Sequence, residues 1–256
     1  MKAAMAETKL ALVTGAARGI GRAIAERLAT AGHGVIALDA LSETLHLAVT
    51  EMTSRGLDVR PVVCDLSNSE DIADLPTLIG NDFDRIAILV NNAGISPKLN
   101  GASARLCDIA LTEWERVVRI NLTAPFLLTQ LCLPPMRSRG WGRIVNISSK
   151  GGRTPSGVAG AHYVSTKSGV FGLTKITAME VAAEGITVNS IAPGRIETPM
   201  ELEADAETRA RSILRIPVGR LGRADEIAAA VGFLVGDEAG YITGATFDIN
   251  GGTLMI

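Results

Sequence analysis

Leu10-Ala11-Leu12-Val13-Thr14-Gly15-Ala16-Ala17-Arg18-Gly19-Ile20-Gly21 is the stretch on which the fold turns. The apolar run Leu10 to Thr14 reads as a buried strand, and Gly19 to Ala31 reads as an amphipathic helix. Between them the chain must reverse in a few residues, and a turn that tight needs positions without a Cβ. The same bare backbone lets a pyrophosphate approach the N–H groups and the positive end of the helix dipole. A glycine triplet alone carries little weight. This one follows a strand, opens a helix and precedes a second strand, the context a dinucleotide site requires.

The pattern continues outward. Gly34 to Leu38 reads as the second strand, with a helix at Ser42 to Arg55, and Val59 to Cys64 as the third. Ile86 to Val90 is the fourth, then a long helical stretch from Glu113 to Met136, and Arg143 to Ile147 the fifth. A helix at His162 to Glu184, a strand at Ile186 to Ile191, a helix at Asp225 to Val235 and a strand at Ala245 to Ile249 complete the chain. Strands this apolar are covered on both faces, which implies a parallel sheet between two helical layers. Regular alternation of strand and helix gives a doubly wound α/β fold. Its ligands bind beyond the carboxyl ends of the strands, and the chemical motifs of this chain fall there.

The chain has 256 residues with no break in composition, which fits one domain over residues 1–256. Formal net charge is −2 without long basic runs, so nucleic acid is not expected as a partner. Cys64, Cys107 and Cys132 are far apart and odd in number; they read as buried small hydrophobes in a reducing cytosol, not as metal ligands or disulfides. Met1 to Lys9 lacks a signal-peptide core, and no uninterrupted apolar run approaches the ~18 residues of a membrane span. The expectation is a soluble, cytoplasmic protein without a metal. Arg195 to Arg223 is irregular, with acidic residues from Glu197 to Glu207 followed by basic ones from Arg209 to Arg223, and reads as a mobile helical flap with a solvated charged face.

Asp39 ends the second strand, ~20 residues beyond the glycine turn, where a carboxylate accepts hydrogen bonds from both hydroxyls of an adenine ribose and repels a 2′-phosphate. Arg18, in the turn, argues the other way. Facing a phosphate with an unpaired carboxylate costs more than leaving a surface arginine idle, so NAD is favoured over NADP. Asp65 follows the third strand near the expected adenine. Asn91-Asn92-Ala93-Gly94 ends the fourth; small residues leave room there, and the Asn91 amide serves either the cofactor or the tie between strand ends.

Tyr163 and Lys167 stand one helical turn apart and project from one face. An isolated phenol is a poor base near neutrality. A nearby ammonium and a cationic nicotinamide both favour the phenolate, the requirement for acid/base chemistry on an alcohol. Ser149, in Asn146-Ile147-Ser148-Ser149, stands at a strand end where its hydroxyl can bond a substrate carbonyl and steady charge developing there. Ser148 alternates to the other side. Pro125 lacks the N–H that would bond the carbonyl of Asn121 and crowds it. The expectation is a kink that frees this carbonyl to hold a water, linking Lys167 to solvent as a proton relay.

Together Thr14-Gly15-x-x-x-Gly19-Ile20-Gly21, Asn91-Asn92-Ala93-Gly94, Asn121, Ser149, Tyr163-x-x-x-Lys167 and Pro193-Gly194 resemble the short-chain dehydrogenase/reductase family over nearly the whole chain. The resemblance implies a Rossmann-like seven-stranded sheet in a single domain and a catalytic Asn121, Ser149, Tyr163 and Lys167. It implies cofactor contacts from Gly15, Arg18, Gly19, Ile20, Gly21 and Asp39. Asp65, Leu66, Asn92, Ala93 and Gly94 would follow, with Tyr163, Lys167, Pro193, Gly194, Ile196 and Thr198 at the nicotinamide end. Lys167 would hold the nicotinamide ribose, and Ile196 and Thr198 the nicotinamide amide and pyrophosphate. The C-terminal Gly244 to Ile256 would lie in the interface of a homotetramer. Two departures stand out. Ser149 is one residue farther from Tyr163 than in many relatives, and the loop Ser96 to Asp108 is long.

The reaction read from these residues interconverts a secondary alcohol and a ketone, with NAD as cofactor. The closest branches are 3-oxoacyl reductases and sugar or polyol dehydrogenases. Arg153 or His162 meets an anionic or hydroxylated substrate, or else faces water; His33 and His46 read as surface residues. The rival readings are an NADPH-dependent 3-oxoacyl thioester reductase, an NAD-binding regulatory protein without turnover, and a structural partner protein.

Overall fold

Each apolar run forms a strand in the computed structural model, which describes residues 8–99, 101–154, 157–198 and 213–256. The strands are β1 (Leu10–Thr14), β2 (Gly34–Asp39), β3 (Val59–Val63), β4 (Ile86–Asn91), β5 (Gly142–Ile147), β6 (Ile186–Pro193) and β7 (Thr246–Ile249). All pair in parallel, in one seven-stranded sheet of order β3-β2-β1-β4-β5-β6-β7. The chain winds outward from β1 through β2 to β3, then crosses to β4 and winds the other way. That reversal opens a crevice at the carboxyl ends of β1 and β4.

Side-chain alternation in the strands feeds two cores. Ala11 and Val13 of β1 join Val35, Ile88, Val145 and Ile191 beneath α1 (Gly19–Thr30), α2 (Ser42–Ser54) and the helix Ala224–Leu234, where Ile24, Leu28, Met52, Ile227 and Val231 are buried. Leu12 points the opposite way. It joins Ile36, Leu89, Ile144 and Val188 under a second helical layer holding Leu128, Cys132, Met136 and Val181. Each such fully buried Leu or Ile contributes roughly 1.5–3 kcal/mol.

The long helical stretch is longer and less regular than its periodicity suggested. After the short helices α3 (Ser69–Ala73) and α4 (Leu75–Ile79), it comprises α5 (Leu111–Val118), a π-turn at Arg119–Thr123 and α6 (Ala124–Arg139). α3 and α4 were not legible because segments this short complete too few turns to show a period. The widened turn centres on Asn121. The Ala124 N–H bonds back to the Arg119 carbonyl, and Pro125 follows without an N–H of its own. The irregularity expected from Pro125 is therefore a π-turn. As one helix, Leu111–Arg139 has 29 residues and an apolar window long enough to cross a membrane, although charges break the run in sequence. In this fold 44% of that window is buried within the protein, packed partly on β4 and β5.

α7 (Ala161–Val181) runs from the fifth strand back along the sheet, and α8 is Ala224–Leu234. Burial pushes the thiols of Cys64 and Cys132 up to about 11 and about 12. Cys107 differs from expectation and is exposed in the loop before α5. Of the expected flap, residues 199–212 lie outside the described residues. Its two ends run side by side: the Glu197 N–H donates to the Gly222 carbonyl at 2.8 Å, and the Gly222 N–H to that of Arg195 at 2.9 Å.

The tightest approach in the fold is at Gly21, where a Cβ would lie 2.0 Å from the Gly15 carbonyl oxygen and 2.5 Å from the Asn92 side-chain nitrogen. Gly21→Ala is expected to destabilise the protein by about 2 kcal/mol or more, measured by denaturant unfolding, because the nearest obstacle is backbone, which cannot swing aside as a side chain can.

Candidate active site

The crevice is built from strand ends. Thr14 closes β1 with its hydroxyl accepting from the N–H groups of Asn92 and Ala93, both at 3.0 Å, while Asn92 donates its amide to the Thr14 carbonyl at 2.8 Å. These bonds lock the Asn91–Gly94 segment against the glycine turn. Gly15 adopts φ +65°, open to glycine without strain, and a Cβ on it would meet Ala93 Cα at 2.9 Å. At the start of α1, Arg18 gives no side-chain cap and no acidic residue lies in the first turn. The first N–H groups of that helix are thus available to an anion.

Asp39 ends β2 beside this turn. Its carboxylate accepts from the Ala17 N–H and from the Leu41 N–H, each at 3.0 Å. It is therefore held in place at the turn. Asp65, beyond β3, is exposed and accepts from the Ser67 N–H at 2.8 Å, while Leu66 is buried. Arg18 is exposed in the turn. Pro193 and Ile196 are buried, with Gly194 and Thr198 half-buried at the end of β6.

Asn91 proves structural. Its amide donates to Asn146 on β5 at 2.8 Å; Asn146 donates to Thr174 on α7 at 2.9 Å, and Thr174 shares a 2.6 Å bond with Ser190 on β6. This buried polar chain joins β4, β5, β6 and α7. It ties α7 to the strand ends, with the Asn91 Oδ1 left without a partner among the described residues.

Asn121, Ser149, Tyr163 and Lys167 converge above it. The Asn121 carboxamide accepts from the Ile95 N–H at 2.9 Å, donates to the Ile95 carbonyl at 2.9 Å and reaches the Thr166 hydroxyl at 3.3 Å. Lys167 donates to the Ile147 carbonyl at 2.8 Å, and its ammonium lies 5.8 Å from the Tyr163 ring centroid. Gly94 faces both: a Cβ there would sit 3.2 Å from Lys167 Nζ and 3.4 Å from Asn121 Oδ1. Ser149 stands near enough to the Tyr163 phenol to influence it, and accepts from the Gly151 N–H at 3.0 Å. Ser148 turns away, donating to the Lys167 carbonyl at 2.6 Å.

Burial raises the Tyr163 phenol above its ordinary value, and the Ser149 bond opposes this in part. Burial also lowers the Lys167 ammonium, to about 8. The expected drive toward phenolate from Lys167 is thus outweighed by desolvation in the protein alone. Other expectations are corrected too. His162 neither faces water nor stands open to substrate: it is fully buried, 3.1 Å from Glu113. Arg153 lies over the Phe171 ring and 3.1 Å from Asp248. Lys98 donates to the Val158 carbonyl, tying the two loops that flank the site. His33 is half-buried, accepting from the Lys9 N–H. Thr14, Asn146 and Thr166 were passed over as site residues, although each lies inside a motif quoted for its neighbours.

A family model described as enoyl-(acyl carrier protein) reductase matches residues 15–253. A 3-oxoacyl-acyl-carrier-protein reductase of Aquifex aeolicus is 42% identical over 245 residues, 95% of this chain and 96% of that one. A crystal structure of such a reductase from Brucella melitensis, with bound NAD, superposes with a TM-score of 0.90 at 36% identity, covering 98% of this chain and 93% of that one. One described as an NAD(P)-dependent gluconate 5-dehydrogenase from Beutenbergia cavernae, with NADP at low occupancy, superposes at 0.88 with 34% identity, covering 96% of each chain.

Lys167 is protonated in the unfolded chain up to its ordinary value and in the folded one only up to about 8. Between these values the unfolded state binds more protons, so stability rises with pH. Relative to Lys167→Met, the protein is expected to gain about 2 kcal/mol of unfolding free energy between pH 8 and about pH 10, followed by denaturant titration.

Proposed function

Because the chain belongs to the short-chain dehydrogenase/reductase family, we propose that it interconverts a secondary alcohol and a ketone, with Tyr163 as the general acid/base. The observation that carries this reading is the half-buried Tyr163 phenol beside Ser149, with the buried Lys167 ammonium 5.8 Å from its ring, at the strand ends. When bound, a nicotinamide cofactor supplies or accepts the hydride. In ketone reduction the phenol gives its proton to the carbonyl oxygen as the carbon gains hydride. Ser149 bonds that oxygen as negative charge develops on it. In alcohol oxidation the phenolate takes the hydroxyl proton. A phenol is ordinarily protonated near neutrality and burial pushes Tyr163 further that way, so it is ready to give a proton in the reductive direction.

The fit to a dinucleotide rests on the uncapped start of α1, set close to the strand end by the tight packing at Gly15 and Gly21, and on the small residues Ala93 and Gly94 beside it. Gly15, Arg18, Gly19, Ile20 and Gly21 would hold the pyrophosphate, and Asp39 the adenine ribose. Asp65 and Leu66 would flank the adenine. Asn92, Ala93 and Gly94 would line the middle of the groove, and Tyr163 and Lys167 the nicotinamide ribose. Pro193, Gly194, Ile196 and Thr198 would lie at the nicotinamide, with residues 195–223 as a flap. Asp39, held by two backbone N–H groups, supports NAD over NADP. Asn121, through its π-turn, would leave its carbonyl to a water that relays protons from Lys167.

Similarity to 3-oxoacyl-acyl-carrier-protein reductases supports a second, narrower reading, in which the ketone is a 3-oxoacyl thioester. The expected assembly is a cytoplasmic homotetramer, with exposed Met255 and Ile256 in an interface. A panel of sugars, polyols, hydroxy acids and 3-oxoacyl esters, followed by nicotinamide absorbance with both cofactors, separates these readings. Tyr163→Phe is expected to bind cofactor normally and lose activity by at least about 100-fold; equal turnover would sink the mechanism. Asp39→Ala is expected to erode the preference for NAD by at least about tenfold in kcat/KM, and an unchanged ratio would remove Asp39 from that role.

A further inference from the structure

α7 begins without an ordinary cap. Gly160 stands at the N-cap and has no side chain to offer, so the first N–H groups of the helix depend on other partners. The Tyr163 N–H is one of these. It donates to Nδ1 of His162 at 2.7 Å. Gly160 makes room for the ring: a Cβ there would fall 2.8 Å from the imidazole Cε1. With Nδ1 accepting, the ring proton belongs on Nε2. Nε2 faces the Glu113 carboxylate at 3.1 Å. Glu113 lies in the first turn of α5, where negative charge also suits the helix dipole.

α5 runs without a break into the π-turn that carries Asn121, and α7 carries Tyr163 and Lys167. α7 is joined to the π-turn by Asn121 and Thr166 and to α5 itself by Glu113 and His162. We propose that His162, through Glu113, is a positioning residue that sets the start of α7 against α5 and so holds the Tyr163 phenol opposite Ser149. His162 touches no reacting atom. This proposal rests on the acid/base reading of Tyr163.

The test uses the whole chain in a Tyr241→Phe background. The sequence has two tyrosines and Tyr241 is fully exposed, so Tyr163 becomes the sole phenol to titrate by near-ultraviolet absorbance. Three variants are compared. Glu113→Ala removes the tie. Glu113→Gln keeps an acceptor in place. His162→Asn keeps an acceptor for the Tyr163 N–H but no longer reaches Glu113. The expected result is a loss in kcat of about tenfold for Glu113→Ala and for His162→Asn, with cofactor Kd unchanged. The Tyr163 titration should move upward in both, as the Ser149 bond weakens, and return toward that of the parent in Glu113→Gln. The double variant Glu113→Ala/His162→Asn should lose no more than either alone, because the two act through one contact. Parental kcat and titration in Glu113→Ala, or losses that add in the double variant, overturn the proposal. Should His162→Asn fail to fold, Glu113→Ala, at a half-exposed side chain, decides alone. The phenol titration needs no turnover, so inactivity of the parent on every ketone refutes the acid/base reading while leaving the role of His162 to the titration.

Discussion

At Gly21 the first turn of α1 lies against the Gly15 carbonyl and the Asn92 amide, with no space for a methyl group between them. That approach is the constraint on which the crevice depends. It sets α1 down on the end of β1, and the Thr14 hydroxyl and Asn92 amide then draw the end of β4 to the same place. With β1 and β4 fixed, the reversal of winding opens where the uncapped start of α1 points. Asp39 comes to the rim because the Ala17 N–H reaches it across the same turn. A single bulky residue at the turn would separate all of these.

On the far side of the crevice the ordering agent is polar. Asn91, Asn146, Thr174 and Ser190 run as a buried chain under α7. Buried polar groups of this sort are costly unless bonded. Their mutual bonds set the height of α7 over the sheet, although the Asn91 Oδ1 finds no partner among the described residues. Lys167 is then held to the Ile147 carbonyl and Ser148 to the Lys167 carbonyl, so helix and strand end are bonded in both directions. The electrostatics follow from the same burial. The site dries its own phenol and ammonium and favours the neutral form of each. What makes the phenol reactive must then come from bonding at its oxygen, by Ser149 and by whatever occupies the groove.

Much of this was legible in residue order. Short continuous apolar runs marked the strands, since a parallel strand buried on both faces has few polar positions to interrupt it. The glycine turn, Asp39 and the Tyr163–Lys167 pair were also visible, because each depends on neighbours one turn or one strand end away. Pro125 announced an irregularity, although its form as a π-turn did not follow from its position. The short helices between β3 and β4 left no mark.

The sequence by itself thus determined the alternation of strands and helices, the place of the crevice beyond the strand ends and which side chains project together from one element. All of these rest on local periodicity and backbone sterics. The tertiary structure alone decided the partners that lie far apart in the chain. It made Asn91 a structural tie to Asn146 and gave Ser148 the Lys167 carbonyl as its partner. It buried His162 against Glu113, although the sequence had suggested a residue facing water or substrate. No periodicity encodes such choices, because each depends on how one helix face meets another across the sheet and on which buried polar groups find a partner there.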